Sequence, residues 1–441
     1  MKQFFCSRWR SVRLASLFHE NTTKNEGFLS SNALQFRYGS IVPKKQFDLT
    51  SDLIETYKKY TIIQPGDIMI NGLNLNYDFV TQRVAIVPSS GIITSAYICL
   101  RPRDNVNLRF YTYYLKALDS IKVFNGLGTG IRLTLSYDSI KNMVLPIPPR
   151  EEQDQIVRYL DWQVSKINRL IAAKRKQIAL LKEHRTAKIN QAVTTGIHSD
   201  TQLAYTGYNW LPYAPANWKP VPAKALFRNV TELRRQDDSM LAATQKYGLI
   251  EQSEYMRLEG RRIVLANDNL DKWLHTEPND YIISLRSFQG GLEMCSKPGC
   301  VTWHYVVLRA QRDIYSDFYK WFFKSAAYIG ALQKTSDFIR DGQDLRFSNF
   351  VKVGLFSIPM DEQREIAEYL NREIPKYDVA IDNLEKQIEQ ITELRIRLIS
   401  DVVTGQVDVR GIEVPEFEFV GEVDETNDNN EEELANSKEA E

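Results

Sequence analysis

The sequence predicts an α+β fold made of two tandem globules, each followed by a long helical arm, with the two arms paired. Three observations predict it. Pro149-Arg150-Glu151-Glu152-Gln153-Asp154-Gln155-Ile156-Val157-Arg158-Tyr159-Leu160 returns as Pro359-Met360-Asp361-Glu362-Gln363-Arg364-Glu365-Ile366-Ala367-Glu368-Tyr369-Leu370. The offset from Gln153 to Gln363 is 210 residues and still holds at Val193 and Val403, whereas solenoid units run roughly 20–50 residues. Beyond each copy apolar residues step by four and three, the period of a paired helix.

Composition bounds the class. The chain has 441 residues, 43% of them hydrophobic, enough for two or three domains with real cores. No run of about 18 apolar residues occurs, and the first ten residues lack a signal-peptide core, so a cytoplasmic protein with no membrane contact is expected. Cys6, Cys99, Cys295 and Cys300 form no disulfide framework and no paired zinc pattern. The zero net charge conceals an acidic end: from Gly411 to Glu441 there are twelve acidic residues and one lysine. The remainder carries 55 basic against 44 acidic residues, a moderately basic body compatible with a polyanionic partner. The acidic segment reads as disordered. The boundaries that follow are a first globule at 1–149, a first arm at 150–198, a second globule at 199–358, a second arm at 359–410 and a tail at 411–441.

Within the globules the repeat is fainter. Trp9…Leu17-Phe18 recurs as Trp218…Leu226-Phe227, and Pro65-Gly66-Asp67 as Pro278-Asn279-Asp280. Gly91–Leu100 and Gly299–Leu308 are β-branched and aromatic runs bounded by turn residues, hence strands. Helices are expected near Leu108–Ser120 and Ser316–Gln333. Short strands are expected near Leu133–Ser136 and Leu345–Ser348, after a glycine-containing loop in each case.

Each arm begins after a proline with an acidic first turn that suits the positive end of a helix dipole. The first seam is Leu160, Val164, Ile167, Ile171, Lys174, Ile178 and Leu181; the second is Leu370, Ile374, Tyr377, Ile381, Leu384, Ile388 and Ile391. Thr195-Gly196 and Thr404-Gly405 mark the ends. Pro375 should kink the second helix or restart it. Arg150–Gly196 carries ten basic and five acidic residues, Asp361–Gly405 six and eleven, so opposite charge favours pairing of one arm with the other. Two unrelated amphipathic helices, each packed on its own globule, are the plainer alternative.

Catalytic signatures are missing. There is no GxxxxGK[ST], HExxH or GxSxG, and no Asn-Pro-Pro-aromatic tetrapeptide. Gly126-Leu127-Gly128-Thr129-Gly130 reads as a structural turn, and His304 as a strand histidine that is packed or hydrogen-bonded. The sequence therefore calls for no metal and no cofactor of its own. What remains is a set of polar loops. Asn71, Asn74 and Asn76 follow the strand at Ile68–Ile70, with Arg83 shortly after; asparagine pairs with adenine and arginine with guanine in a major groove. The matching second loop offers Arg286, Ser287 and Gln289. Lys44, Lys45, Arg101, Arg103, Arg234, Arg235, Arg261 and Arg262 are candidates for phosphate contact, although solvated surface charge is the ordinary role of each.

The repeated arm starts, the Arg-x3-Ile-x3-Val segments at 185–193 and 395–403, Pro65-Gly66-Asp67 and Gly91…Tyr97 together resemble the specificity subunit of type I restriction–modification systems. The resemblance runs from Trp9 to about Arg410. It implies two α/β target-recognition domains, each for one half of a bipartite double-stranded DNA site, and an antiparallel coiled-coil spacer with pseudo-twofold symmetry. It also implies docking of two adenine methyltransferase subunits and of motor–endonuclease subunits, which would hold S-adenosylmethionine, ATP and Mg. The chain itself would be non-catalytic. A self-contained methyltransferase or nuclease, and a coiled-coil adaptor without DNA, are the other readings.

Overall fold

The computed structural model describes residues 5–37, 39–45, 48–76, 82–131, 133–244, 247–259, 269–284, 287–335 and 346–421. The chain divides into two compact units, Met1–Arg175 with Glu385–Glu441, and Lys176–Leu384. Both divisions fall inside the long helices Arg150–Thr195 and Met360–Val403. Each unit therefore holds one globule, the start of its own arm and the end of the other arm.

Unit 1 is built on a four-stranded antiparallel sheet in the order Phe18–Glu20, Ile98–Pro102, Ile68–Ile70, Val84–Ile86. Ile68, Met69 and Ile70 are all buried, because a central strand covered on both faces is apolar throughout and does not alternate. Two-stranded pairs surround it: Thr61–Ile63 with Gly91–Ile93, Leu34–Arg37 with Ser40–Pro43, and Arg10–Arg13 with Val144–Ile147. The helix Leu108–Ser120 forms where expected, capped by Asn107, whose Oδ1 accepts the Phe110 amide at 3.1 Å. Phe110, Tyr111, Tyr114 and Leu118 on its inner face join Phe18, Ile68, Ile70 and Leu100 in one core. Ile156, Leu160 and Val164 of the first arm and Ile399, Val402 and Val403 of the second complete that core.

Unit 2 repeats the plan. Its sheet runs Phe227–Val230, Val306–Ala310, Tyr281–Ile283, Glu293–Met294, flanked by pairs equivalent to those of unit 1. A hairpin, Leu203–Tyr208 with Leu211–Pro215, precedes them. Ile189 and Val193 from the first arm and Ile366, Leu370 and Ile374 from the second enter its core.

Side-chain contacts repeat as well. Trp9 donates from Nε1 to Glu152 at 3.1 Å, and Trp218 to Glu362 at 2.9 Å. Gln153 and Gln363 each donate from Nε2, to the Pro148 and Ile358 carbonyls, both at 2.8 Å. These bonds explain the Glu-Gln that recurs at both arm starts: one residue anchors the globule's tryptophan, the other the incoming strand. At the Pro65-Gly66-Asp67 turn Gly66 has φ +92, and Asn279 takes φ +72 at the matching place, the left-handed region that asparagine tolerates better than most residues.

In both units the arm segments run antiparallel. In unit 1 Arg395 donates to Asn168 and Lys174 to Gln387, so residue numbers rise on one helix as they fall on the other. In unit 2 Arg185 donates to Asp378 at 2.7 Å and Lys188 to Tyr369 at 3.2 Å, in the same sense. Of the expected seam, Leu160, Val164, Ile171, Ile178, Leu370, Ile374 and Ile381 are buried. Ile167, Leu181, Tyr377, Leu384, Ile388 and Ile391 are half-buried, while Leu170, Leu180, Val379 and Leu394 face outward.

Five expectations need correction. The runs 91–100 and 299–308 are each two strands broken by a turn, Gly91–Ile93 and Ile98–Pro102 in one unit, Gly299–Val301 and Val306–Ala310 in the other. The helix of 316–333 is two helices, Ser316–Phe322 and Ala326–Gln333. Ser325 starts the second by accepting the Tyr328 amide at 3.3 Å, and Gly291 packs so tightly on the break that a Cβ there would meet the Phe323 carbonyl. Neither expected short strand forms. Leu135 is buried in a loop and Ser136 caps the helix Tyr137–Ile140, while Phe347–Phe350 is a helix and Leu345 lies outside the described residues. The strands that do form, Val144–Ile147 and Leu355–Ser357, lie further on; Pro146 obscured the first, although an edge strand tolerates it. His304 sits in a turn, exposed and tilted against Trp303 with ring centroids 3.7 Å apart. Finally, Met360–Val403 continues as one helix through Pro375, so the helix does not restart there. Ile374 and Leu370, fully buried just before it, offset the lost hydrogen bond.

Candidate nucleic-acid interface

In unit 1 the loop after Ile68–Ile70 is held from below. Arg83 is only 1% exposed, and its guanidinium donates to the carbonyls of Asn71 at 3.0 Å, Leu73 at 2.8 Å and Asn74 at 3.4 Å. Its own amide donates to Asp119 at 2.8 Å. Arg83 is therefore not presented to a ligand; it fixes the path of the loop, which corrects its assignment as a base contact. Asn71 accepts the Leu73 amide at 3.1 Å, and Asn76 donates to the Ile131 carbonyl at 2.9 Å. Asn74 stands exposed at φ +50.

A second loop is joined to the first. Leu75 donates from its amide to the Leu133 carbonyl, Leu135 to Gly72, and Asn125 from its side chain to Leu75. This arrangement thrusts Ile131 into solvent, 98% exposed beside the Asn71–Asn76 loop. Sequence reasoning missed Ile131, since one apolar residue after Gly-Thr-Gly carries no periodic signal. An apolar side chain in such a place suits a thymine methyl or a base step.

Arg101 is also corrected. It grips the fully buried Asp67 with two hydrogen bonds, Nε to Oδ1 at 2.9 Å and Nη2 to Oδ2 at 2.7 Å, and the bond to Asp67 raises its pKa. Unit 2 repeats the device with Arg309 and Asp280 at 2.8 and 2.7 Å, so Asp67 and Asp280 tie their turns to the adjacent strand. Arg103 is exposed and donates to the Ala15 carbonyl at 3.2 Å. Lys44 and Lys45 line an open cavity of about 460 Å³ with Asn32, Asp48, Leu49 and Tyr57.

Unit 2 places different chemistry after the equivalent strand Tyr281–Ile283. Ser287 begins the short helix Ser287–Gly290, is buried, and accepts the Ser284 amide at 2.8 Å through its hydroxyl. Its hydroxyl is committed to the backbone before the helix and is not a base contact. Gln289 lies on that helix; Arg261, Arg262 and Arg286 lie outside the described residues. Arg234 is half-buried, with its amide on the Trp273 carbonyl, and Arg235 is exposed but paired with Glu277 at 3.0 Å. Trp303, exposed and in ring contact with His304, is a second residue that the sequence did not single out.

Burial pushes the Cys99 thiol up to about 12 and the Cys300 thiol up to about 11, so both stay protonated and weakly nucleophilic. Among the described residues no group of three or more His, Cys, Asp or Glu is placed to hold a metal ion, and no helix is long and apolar enough to cross a membrane.

Comparison with known proteins places this geometry. Residues 7–180 match the family profile of the type I restriction modification DNA specificity domain. The chain is similar to the type I restriction enzyme MjaVIII specificity subunit of Methanocaldococcus jannaschii, 23% identical over 49% of this chain and 48% of that protein. The chain thus matches about half the length of that relative. It is also similar to the putative type I restriction enzyme MjaX specificity subunit of the same organism, 20% identical over 81% of each chain. A solved chain from work on complex assembly and conformational transition of the type I R-M system shares its fold, with a TM-score of 0.62, 14% identity, and coverage of 91% of this chain and 99% of that one.

Proposed function

We propose, since this chain belongs to the family of type I restriction–modification specificity subunits, that it recognises DNA sequence for a restriction–modification complex, with each unit taking one half of a bipartite target. The chain itself is non-catalytic; methyl transfer and cleavage belong to partner subunits. The observation that carries the bipartite reading is the contrast between the units. Sheet order, anchoring tryptophans and the Asp–Arg ties repeat, yet the loop after the third strand of each sheet is irregular and asparagine-rich in one unit and helical in the other. One scaffold with two different surfaces is what two unlike half-sites require.

In this reading Lys45, Arg103 and Arg235, the candidate basic side chains exposed among the described residues, contact phosphates, while Asn74 and Ile131 face bases. The arms act as an antiparallel coiled-coil spacer and as the docking surface for two adenine methyltransferase subunits, to which motor–endonuclease subunits add. The outward Leu170, Leu180, Val379 and Leu394 suit such docking. The seam from Leu160 to Ile189 is about 45 Å long at about 1.5 Å per residue, on the order of 13 base pairs.

The test is a map of N6-methyladenine in the host with and without this gene. A split motif that disappears on deletion supports the reading; an unchanged map overturns it. Removing one heptad from each arm should shorten the gap between half-sites, and an unaltered gap would refute the spacer role.

A further inference from the structure

Unit 2 buries a histidine where unit 1 has an isoleucine. His275 is the middle residue of Leu274–Thr276, which pairs with Gly299–Val301; Ile62 is the middle residue of Thr61–Ile63, which pairs with Gly91–Ile93. His275 is 1% exposed and lies between two carboxylates, with Nδ1 2.9 Å from Asp238 Oδ2 and Nε2 2.8 Å from Glu277 Oε1. A neutral imidazole has one N–H and one lone pair, so one ring nitrogen would face a carboxylate without a proton between them. An imidazolium donates to both.

The two carboxylates have further duties. Asp238 Oδ2 accepts the Arg235 amide at 2.7 Å, closing the turn that carries Arg234 and Arg235. Glu277 accepts Arg235 Nη1 at 3.0 Å, and the His275 amide donates to the Glu232 carbonyl at 2.8 Å. Cys300, opposite His275 on the neighbouring strand, directs its thiol toward the Asp238 carbonyl. Among the described residues the charged and titratable groups around the ring are thus Asp238, Glu277, Arg235, Glu232, Cys300 and Arg234. Burial by itself would lower the pKa of His275, but the hydrogen bonds to Glu277 and Asp238 outweigh it and leave the value raised. Glu277 moves the other way, lowered by the same histidine.

We propose that Asp238, His275 and Glu277 form a proton-dependent clamp on the loop from Leu233 to Ser239, so that DNA recognition by unit 2 weakens as His275 loses its proton while recognition by unit 1 does not. The proposal rests on the reading of the chain as a DNA specificity subunit. His275 is a positioning residue: it touches the loop and not the DNA. Because its folded pKa is raised, the clamp is complete below the ordinary histidine value near 6.5 and is lost as pH rises through the higher folded value.

The experiment uses the full complex with its methyltransferase partner and duplexes carrying the mapped target, intact or scrambled in either half. Dissociation constants are measured from pH 6 to 9 at fixed ionic strength. Affinity through one half should fall by roughly threefold to tenfold across that range, and affinity through the other should stay flat. Glu277→Gln should move the midpoint to lower pH, and His275→Gln should flatten the profile. The imidazole titration followed by NMR in the chain should give a pKa above 6.5 that falls in Glu277→Gln. Identical pH profiles in the wild-type and both variants, or a His275 that titrates below 6.5, overturns the clamp. A folded complex that binds no mapped target at any pH overturns the functional reading instead, and the NMR titration still decides the protonation state.

Discussion

Arg83 and Ile131 stand in opposite relation to the sequence. Arginine after an asparagine-rich strand end looks like a base contact, yet Arg83 is sealed under the loop and holds its carbonyls. Isoleucine after Gly-Thr-Gly looks like nothing, yet it is the most exposed large apolar side chain of unit 1 among the described residues. Arg83→Met should therefore destabilise unit 1 by about 2–4 kcal/mol, because three loop carbonyls lose a charged donor that is itself buried; urea unfolding measures it. Ile131→Ala should leave the unfolding midpoint unchanged and weaken binding by about 1 kcal/mol at one half-site only, measured by titration of duplexes altered in each half. Loss of stability in the second variant, or none in the first, would reverse the two assignments.

Among the elements, the arm helices show how context overrides local propensity. Pro375 costs about 3 kcal/mol in a helix interior, and the helix still runs from Met360 to Val403. Buried Leu370 and Ile374 precede it and buried Ile381 follows it, so packing holds helical backbone on both sides of the weak point. Asn371, whose carbonyl lacks its usual partner at position 375, is steadied by its side chain, which accepts from Trp321 at 2.9 Å and donates to Asp317 at 3.1 Å. Pro375→Ala should stabilise unit 2 by about 1–3 kcal/mol, read as a higher thermal midpoint. A lower midpoint would mean that the proline is part of the helix's required shape.

For the chain as a whole, the C-terminal residues divide into two parts with different duties. After Gly405 the chain turns back along the first arm. Gln155 donates to the Val409 and Ile412 carbonyls, Arg158 to Val414, and Asn168 to Val420, while Ser165 accepts the Val420 amide. Val409 and Val414 are buried there, and Arg109 lies 4.5 Å over the Phe419 ring. A chain ending at Gly405 should lose about 2–5 kcal/mol of unit 1 stability in urea unfolding. A chain ending at Gly421 should keep its stability. Residues 422–441 hold nine acids and one lysine, so that shorter chain carries +8 where the full one is neutral. Its complex should associate with DNA faster at low salt, and the difference should vanish at high salt; equal rates at low salt would show that the acidic residues exert no field on the DNA.

The sequence by itself determined the duplication, the two long helices to within a residue of their ends, the recurrence of Pro65-Gly66-Asp67 as Pro278-Asn279-Asp280, and a family resemblance. These features are encoded locally, by proline and acidic starts, glycine stops, heptad steps and β-branched runs, and the second copy reads each signal again. It also located the loops that differ between the copies. Only the tertiary structure decided which polar residues in those loops face outward. Arg83, Arg101 and Ser287 are chemically indistinguishable in sequence from ligand contacts, and each proved to be held within the protein: Arg83 by three loop carbonyls, Arg101 by the buried Asp67, and Ser287 by the Ser284 amide three residues before it. The antiparallel sense of the arm segments within each unit was likewise beyond composition and period, because heptads have no direction. It is fixed by contacts such as Asn168 with Arg395 in one unit and Arg185 with Asp378 in the other, which form only when each globule has packed the start of one arm and the end of the other into its core.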